Sequence, residues 1–162
     1  DARALRFEGT FDAVISLCQG AFGLSAGHPD RSERLDPDLE VLAGMARALR
    51  LGGVLALTAF SAYFQVRYLG EEGRFDSARG VNYERTVLRS ETGEEMEGDL
   101  WTTCYTPREL RLMAGICGLE VLHLSSVTPG EYALRPIDME RPELLLIARK
   151  VDSQSNAAGW AQ

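Results

Sequence analysis

Residues 11–18 (FDAVISLC) form a short, nearly continuous apolar run behind Gly9-Thr10. A run of this length without polar alternation predicts a strand buried on both faces, as in a parallel sheet. A polar loop carrying Gly and Pro follows over 19–35. Asp36-Pro37 then opens a helix, with Asp at the N-cap, Pro at the first helical position, and Asp38 and Glu40 in the first turn. Leu39, Leu42, Ala46 and Leu49 recur on one face, and Gly52-Gly53 is expected to stop this helix after Arg50. Residues 54–60 (VLALTAF) read as a second buried strand, so 11–60 predicts a βαβ unit with a right-handed crossover.

Beyond residue 60 the apolar pattern breaks up. Two strand-like stretches, 83–90 and 95–103, flank the turn sequence Glu91-Thr92-Gly93-Glu94 and predict a hairpin inserted into the main fold over 61–105. Thr106-Pro107-Arg108-Glu109 has the form of a capping box: the Thr106 hydroxyl accepts from the Glu109 amide while the Glu109 carboxylate reaches back to the Thr106 amide. Leu110, Met113, Ala114 and Cys117 share a face of the helix that follows, and Gly118 ends it. Residues 119–127 and 143–150 predict two last strands, joined by a loop with Pro129, Gly130 and Pro136. Residues 1–150 therefore read as one unit and the small, polar 151–162 as a disordered tail. The order β-α-β-hairpin-α-β-β is that of an α/β layered sheet.

Composition narrows the partners. The 162 residues are 45% hydrophobic and 25% charged, ordinary for one globular domain. A formal net charge of −7 argues against phosphate backbones and anionic membrane surfaces as partners. No stretch approaches the roughly 20 apolar residues of a membrane span. Cys18, Cys104 and Cys117 form no CxxC pair and no metal-ligand cluster with His28 and His123, which favours reduced thiols and a cytoplasmic setting. Lys150 is the only lysine.

Several passages in order resemble the class I, S-adenosylmethionine-dependent methyltransferases of the small-molecule type. Asp1-Ala2-Arg3, Phe7 and Gly9-Thr10-Phe11-Asp12 resemble the family's passage from its third strand into its fourth. Leu49-Arg50-Leu51-Gly52-Gly53 resembles the turn before its fifth strand, with Leu51 where proline is usual. Tyr105-Thr106-Pro107-Arg108-Glu109-Leu110, the step Gly118-Leu119-Glu120-Val121 and the run 143–150 (ELLLIARK) resemble its ending. The resemblance covers most of 1–150. It implies a Rossmann-like sheet of which this chain holds the C-terminal part: strands four to seven, the last antiparallel between the fifth and sixth. The glycine-rich cofactor loop and the ribose-holding acid of that family have no counterpart here, and Gly52-Gly53 precedes a strand instead of opening a helix.

The resemblance implies S-adenosylmethionine as cofactor, with Asp1 and Ala2 at the adenine and Leu17, Cys18 and Gln19 at the carboxyl end of the first strand, where open α/β sheets place ligands. Core packing is the plainer reading of Leu17 and Cys18. Methyl transfer from a sulfonium needs positioning and exclusion of water, and aromatic faces hold the cation. Phe22, Tyr63, Phe64, Tyr68, Trp101 and Tyr132 are the candidates for that shell or for contacts with a small-molecule acceptor. No catalytic base is identified; His28, in the loop after the first strand, is the candidate because imidazole titrates near working pH, against an exposed loop histidine as the plainer reading. His123 reads as structural, and Arg135 as either a contact for an acidic acceptor or a solvated side chain. With half of the cofactor site missing, the chain as given is expected to bind the cofactor weakly and its activity alone is doubtful. The rival of another class is a non-catalytic subunit that pairs into a homo-oligomer through the free edge of its first strand. A nicotinamide-dependent oxidoreductase fits the layered sheet but not the elements after residue 60.

Overall fold

A computed structural model describes residues 2–18, 22–24, 37–71 and 73–152. The elements are a 3-10 turn at Ala2–Ala4, β1 (Phe11–Ser16), α1 (Pro37–Ala48), β2 (Leu49–Ser61), α2 (Ala62–Arg67), β3 (Arg74–Asp76), β4 (Val81–Arg89), β5 (Glu95–Tyr105), α3 (Pro107–Ile116), β6 (Leu119–Val127) and β7 (Glu143–Lys150). The strands form one mixed sheet in the order β3-β4-β5-β2-β7-β6, with β1 pairing β2.

β2 is the spine. β1 runs parallel beside its first two thirds, from Phe11↔Leu49 to Ser16↔Leu57, while β7 runs antiparallel along its other side from Val54↔Arg149 to Phe60↔Glu143. β6 pairs antiparallel with the far side of β7, which makes it parallel to β2. The last strand thus lies between the second and sixth, reversed, as the family resemblance implies. One face of this sheet is covered: Leu55, Leu57, Ala59, Leu144, Leu146 and Ala148 pack against Leu42 and Met45 of α1 and Leu110 and Ala114 of α3. The α3 capping box forms as read from the sequence, with the Glu109 amide donating to Thr106 Oγ1 at 3.2 Å and the Thr106 amide donating to Glu109 at 2.6 Å.

Two expectations are corrected. The first helix stops at Ala48, not after Arg50, and β2 already begins at Leu49. The pair Gly52-Gly53 makes an irregularity inside the strand: the three residues from Phe11 to Ala13 of β1 face the six from Leu49 to Val54, and Gly52 holds a left-handed φ of 78°. A Cβ on Gly53 would meet the carbonyl oxygens of Arg50 and Asp12 at 2.9 and 3.1 Å, so both glycines are needed. The last helical carbonyls, of Arg47 and Ala48, accept instead from the amides of Gly9 and Thr10 at 2.9 and 2.8 Å, and Nζ of the only lysine, Lys150, donates to the carbonyls of Leu49 at 2.6 Å and Arg47 at 3.3 Å.

β1 is the second correction. It is not buried on both faces: Val14 and Ser16 turn inward, while Ile15 is 69% exposed and Phe11 39%. The described residues place no helix over the side that Ile15 shares with Ala56 and Ile147, its successive cross-strand neighbours. An unbroken apolar run encodes a strand able to be buried twice; whether both faces are covered depends on what packs there. Among the described residues no helix is long and apolar enough to cross a membrane. The expected tail lies almost wholly outside the described residues.

The join between β2 and β5 carries a titration test. Cys104 is buried, and burial pushes its thiol from 9.0 up to about 11. A raised value means the folded state favours the protonated thiol, so its contribution is complete below pH 9 and is lost as pH climbs towards 11. Wild type should lose roughly 2 kcal/mol more than Cys104→Ala across that window in urea unfolding; equal slopes for the two would show that Cys104 titrates alike in the folded and unfolded chain, so that burial does not raise its thiol.

Candidate functional site

In an open α/β sheet the carboxyl ends of the parallel strands are left free by the turns that follow them, and ligands collect there. In this chain those ends are Ser16 of β1, Ser61 of β2 and Val127 of β6, with Glu143 at the start of antiparallel β7 among them. Ser16, Ser61 and Glu143 are all buried, which brings three polar side chains to this edge of the sheet. Ser16 Oγ has no hydrogen-bond partner among the described residues.

Cys18 follows β1 in the left-handed region, φ 52°, the only such non-glycine residue among those described. That conformation is strained for a residue with a Cβ and turns the chain away from the strand direction. Its Sγ lies 2.9 Å from the Tyr132 hydroxyl, and either group can donate. This contact holds the Tyr132 phenol above its ordinary value, hence protonated through the neutral range.

Tyr132 belongs to loop 128–142, which leaves β6 and enters β7. In the sheet order β1-β2-β7-β6, a loop from β6 must cross the ends of β7 and β2 to reach β1. Serines of β6 fasten it. Ser126 Oγ donates to the Asp138 carbonyl at 3.1 Å and accepts from the Asp138 amide at 2.9 Å, while Ser125 Oγ accepts from the Arg135 amide at 3.3 Å. The Pro142 carbonyl accepts from the Ser61 amide at 2.9 Å. Glu140 reaches α2, pairing with Arg67 at 3.0 Å and accepting a hydrogen bond from the Tyr68 hydroxyl, which raises that phenol also. The loop is a strap across the carboxyl edge, tied at β6, at β2 and α2, and at β1.

A second bundle of contacts sits on the α1 side. Tyr105, at the end of β5, donates its hydroxyl to the buried Asp38 carboxylate of α1 at 2.8 Å, and Phe22 stacks on its ring with centroids 4.9 Å apart. The Gly23 carbonyl accepts from the Thr103 amide at 2.7 Å. The chain after β1 is thereby fastened to β5 at the point where the hairpin meets the main sheet.

The residues expected at a site divide accordingly. Asp1, Gln19 and His28 lie outside the described residues. Ala2 is half-buried against α1, where its carbonyl oxygen leaves room only for Gly44: a Cβ there would sit at 3.2 Å. Leu17 is half-buried and Cys18 exposed at the end of β1. Phe22 is fully buried, packed in the core on the Tyr105 ring and not on an open face. Tyr63 and Tyr68 are exposed on or just after α2, with Phe64 packed on Tyr68 at 4.6 Å. Trp101 is not with them; it lies on the hairpin beside Tyr83 at 5.1 Å. His123 is exposed on β6, and Arg135 stays close to Glu131 at 3.7 Å. Sequence reasoning missed Ser16, Asp38, Tyr105 and Glu143. The signal for Ser16 and Glu143 was present as a lone polar residue in or bordering an apolar strand.

No family model matches the chain, and no curated protein matches it in sequence. Solved structures do share its fold. The CcbJ methyltransferase from Streptomyces caelestis superposes with a TM-score of 0.69 at 17% identity, over 94% of this chain and 62% of that one. An S-adenosylmethionine-dependent methyltransferase from Clostridium acetobutylicum gives 0.64 at 14% identity, over 94% and 63%. The sugar N-methyltransferase KedS8 from a Streptoalloteichus species gives 0.54 at 18%, over 94% and 61%. The fold is therefore that of the class I, S-adenosylmethionine-dependent methyltransferases, a Rossmann-like α/β sheet. The chain spans less than two thirds of the length of these neighbours.

The Tyr105–Asp38 bond ties the end of β5 to α1. Tyr105→Phe leaves a buried carboxylate short of a donor and should cost about 1–3 kcal/mol in denaturant unfolding, whereas Tyr63→Phe at an exposed ring should stay within about 0.5 kcal/mol. Equal effects would show that the bond does not anchor the hairpin.

Proposed function

We propose that this chain is the C-terminal part of a methyltransferase that moves the methyl group of S-adenosylmethionine to a small molecule. The cofactor supplies an activated methyl on a sulfonium, open to in-line displacement by a nucleophilic atom of the acceptor. What remains for the protein is to orient the partners and keep water out. The single observation that carries the reading is the contact of Cys18 with Tyr132, which closes the carboxyl edge between the first strand and the strap within this fold.

The donor set fits a nucleoside and amino-acid ligand in part. Ser16 brings to the strand end a hydroxyl without a partner among the described residues, Leu17 and Cys18 supply a short apolar and polarisable wall, and Gln19 and the Asp1-Ala2 pair are proposed to add polar contacts. Tyr132, kept protonated by Cys18, acts as a hydrogen-bond donor or an aromatic wall and not as a base. Tyr63, Phe64 and Tyr68 of the α2 region line the acceptor side, and the inserted 61–105 region serves as the lid. His28 remains the proposed base where the acceptor needs one. Since the chain spans under two thirds of its neighbours, the glycine-rich half of such a site is not among these residues, and weak cofactor binding follows.

S-adenosylhomocysteine at millimolar concentration should slow alkylation of Cys18 several-fold while leaving Cys117 unchanged, and calorimetry of the 162-residue chain should find no binding in the low-micromolar range. Absence of protection at Cys18 would sink the site; tight binding would sink the partial-site reading.

A second reading, a pairing module, is favoured by the outer edge and face of β1, where Ile15 is 69% exposed and no second strand pairs among the described residues. Exposed apolar strand edges recruit other strands. Light scattering should then show a dimer that Ile15→Lys dissociates; a monomer at all concentrations removes this reading.

A further inference from the structure

The hairpin carries an open cleft of about 340 Å3 that the cofactor reading does not use. It is lined by Arg74, Asp76, Arg79, Tyr83, Asp99 and Trp101. The sheet register brings them together. Tyr83 and Trp101 are direct cross-strand partners of β4 and β5, and Arg74 faces Tyr83 from β3, so the three share one face. The two rings lie 5.1 Å apart at 46°, and the Arg74 guanidinium stands 5.9 Å over the Tyr83 ring. The Tyr83 hydroxyl donates to Asp99 at 2.9 Å, which holds the phenol protonated and the carboxylate in place. Asp76 accepts from the amides of Ala78 and Arg79 at 3.0 and 3.2 Å, shaping the turn that brings Arg79 to the rim.

The chemistry of the lining selects among ligands. Two guanidinium groups and two carboxylates balance, so a phosphate or carboxylate ligand meets attraction and repulsion together. A wholly apolar ligand would cover four charged groups without replacing their water. A neutral ring with apolar C–H faces and several hydroxyls suits every element: its faces lie on Trp101 and Tyr83, and its hydroxyls donate to the carboxylates and accept from the guanidinium groups. We propose that this cleft of the hairpin binds a glycosyl ring. Asp99 and Trp101 fall on the face of β5 that also carries Tyr105, and Trp101 stands ~13 Å of strand from the point where β5 meets the end of β2. A sugar held there belongs to the methyl acceptor or to a group attached to it; this assignment to the acceptor rests on the methyltransferase reading, while binding in the cleft does not.

The chain has two tryptophans, so Trp160→Phe leaves Trp101 as the sole reporter. Its fluorescence, in the otherwise intact chain, is titrated with the methyl glycosides of glucose, galactose and mannose, and separately with inorganic phosphate and with phenol. At least one glycoside should give a saturable change in the millimolar range, weakened ten-fold or more by Asp99→Asn and by Arg74→Ala, with unchanged melting temperatures as the check on folding. The proposal is overturned by the absence of a saturable response to any glycoside, by a response that both variants retain, or by saturation with phosphate or phenol instead. Failure of the methyltransferase reading would register at Cys18 and leave this titration untouched.

Discussion

The overhang of β2 beyond β1 governs the arrangement of the whole chain. Pairing with β1 ends at Leu57, but β2 continues to Ser61, and its next backbone groups on that side cannot be left without partners in a buried setting. Phe60 and Ser61 take Cys104 and Tyr105 of β5 in parallel register. Everything in the inserted region hangs from that short join: β5 holds β4 over nine register pairs, and β4 holds β3. The same residues hand the chain onward, since Tyr105 is followed at once by the Thr106 cap that starts α3. A hairpin rooted at two pairs would swing freely on its own. Here Tyr105 is also held by Asp38 and Phe22, and Thr103 by Gly23, so the root is fixed on the core side as well.

The strap over the carboxyl edge works differently. Its ion pairs, such as Arg67–Glu140, are at least partly exposed, and exposed pairs of this kind contribute little stability. Its hydrogen bonds to Ser125 and Ser126 satisfy buried hydroxyls that would otherwise be costly. The strap is thus held by polar satisfaction, with little apolar burial beneath it. A segment fastened in this way is the kind that opens at low free energy, which suits a wall over a binding edge.

Surface chemistry divides the molecule in two. The helix-covered side of the sheet is a dense leucine and alanine core around α1 and α3. The other side shows Ile15 beside Ala56 and Ile147, only partly covered. The hairpin adds a third surface, aromatic and charge-balanced, built from residues that are far apart in sequence and adjacent only through antiparallel register.

Element type was legible because local rules decide it. Pro37 with Asp38 and Glu40, the reciprocal Thr106–Glu109 box and the turn at Glu91 to Glu94 mark starts and stops through interactions a few residues apart. The apolar runs identified β1, β2 and β7 for the same reason, and the ending motif carried the antiparallel place of β7. Burial was not legible in this way. FDAVISLC specifies a strand that tolerates two covered faces, yet only packing decides that Ile15 is open and Ser16 closed. Phe22 read as a ligand contact because a loop aromatic has no periodicity to betray a core role; its stacking on Tyr105 involves a residue far along the chain. The Cys18–Tyr132 contact, the Asp38–Tyr105 bond and the Tyr83–Trp101 cleft likewise join residues that sequence spacing cannot relate. The amino-acid sequence by itself determined which segments are strands and helices and in what order, since those choices rest on neighbours within a turn or two. Only the tertiary structure decided which polar groups meet at the carboxyl edge and on the hairpin, because side-chain proximity there is set by strand order and register, which are properties of the folded sheet.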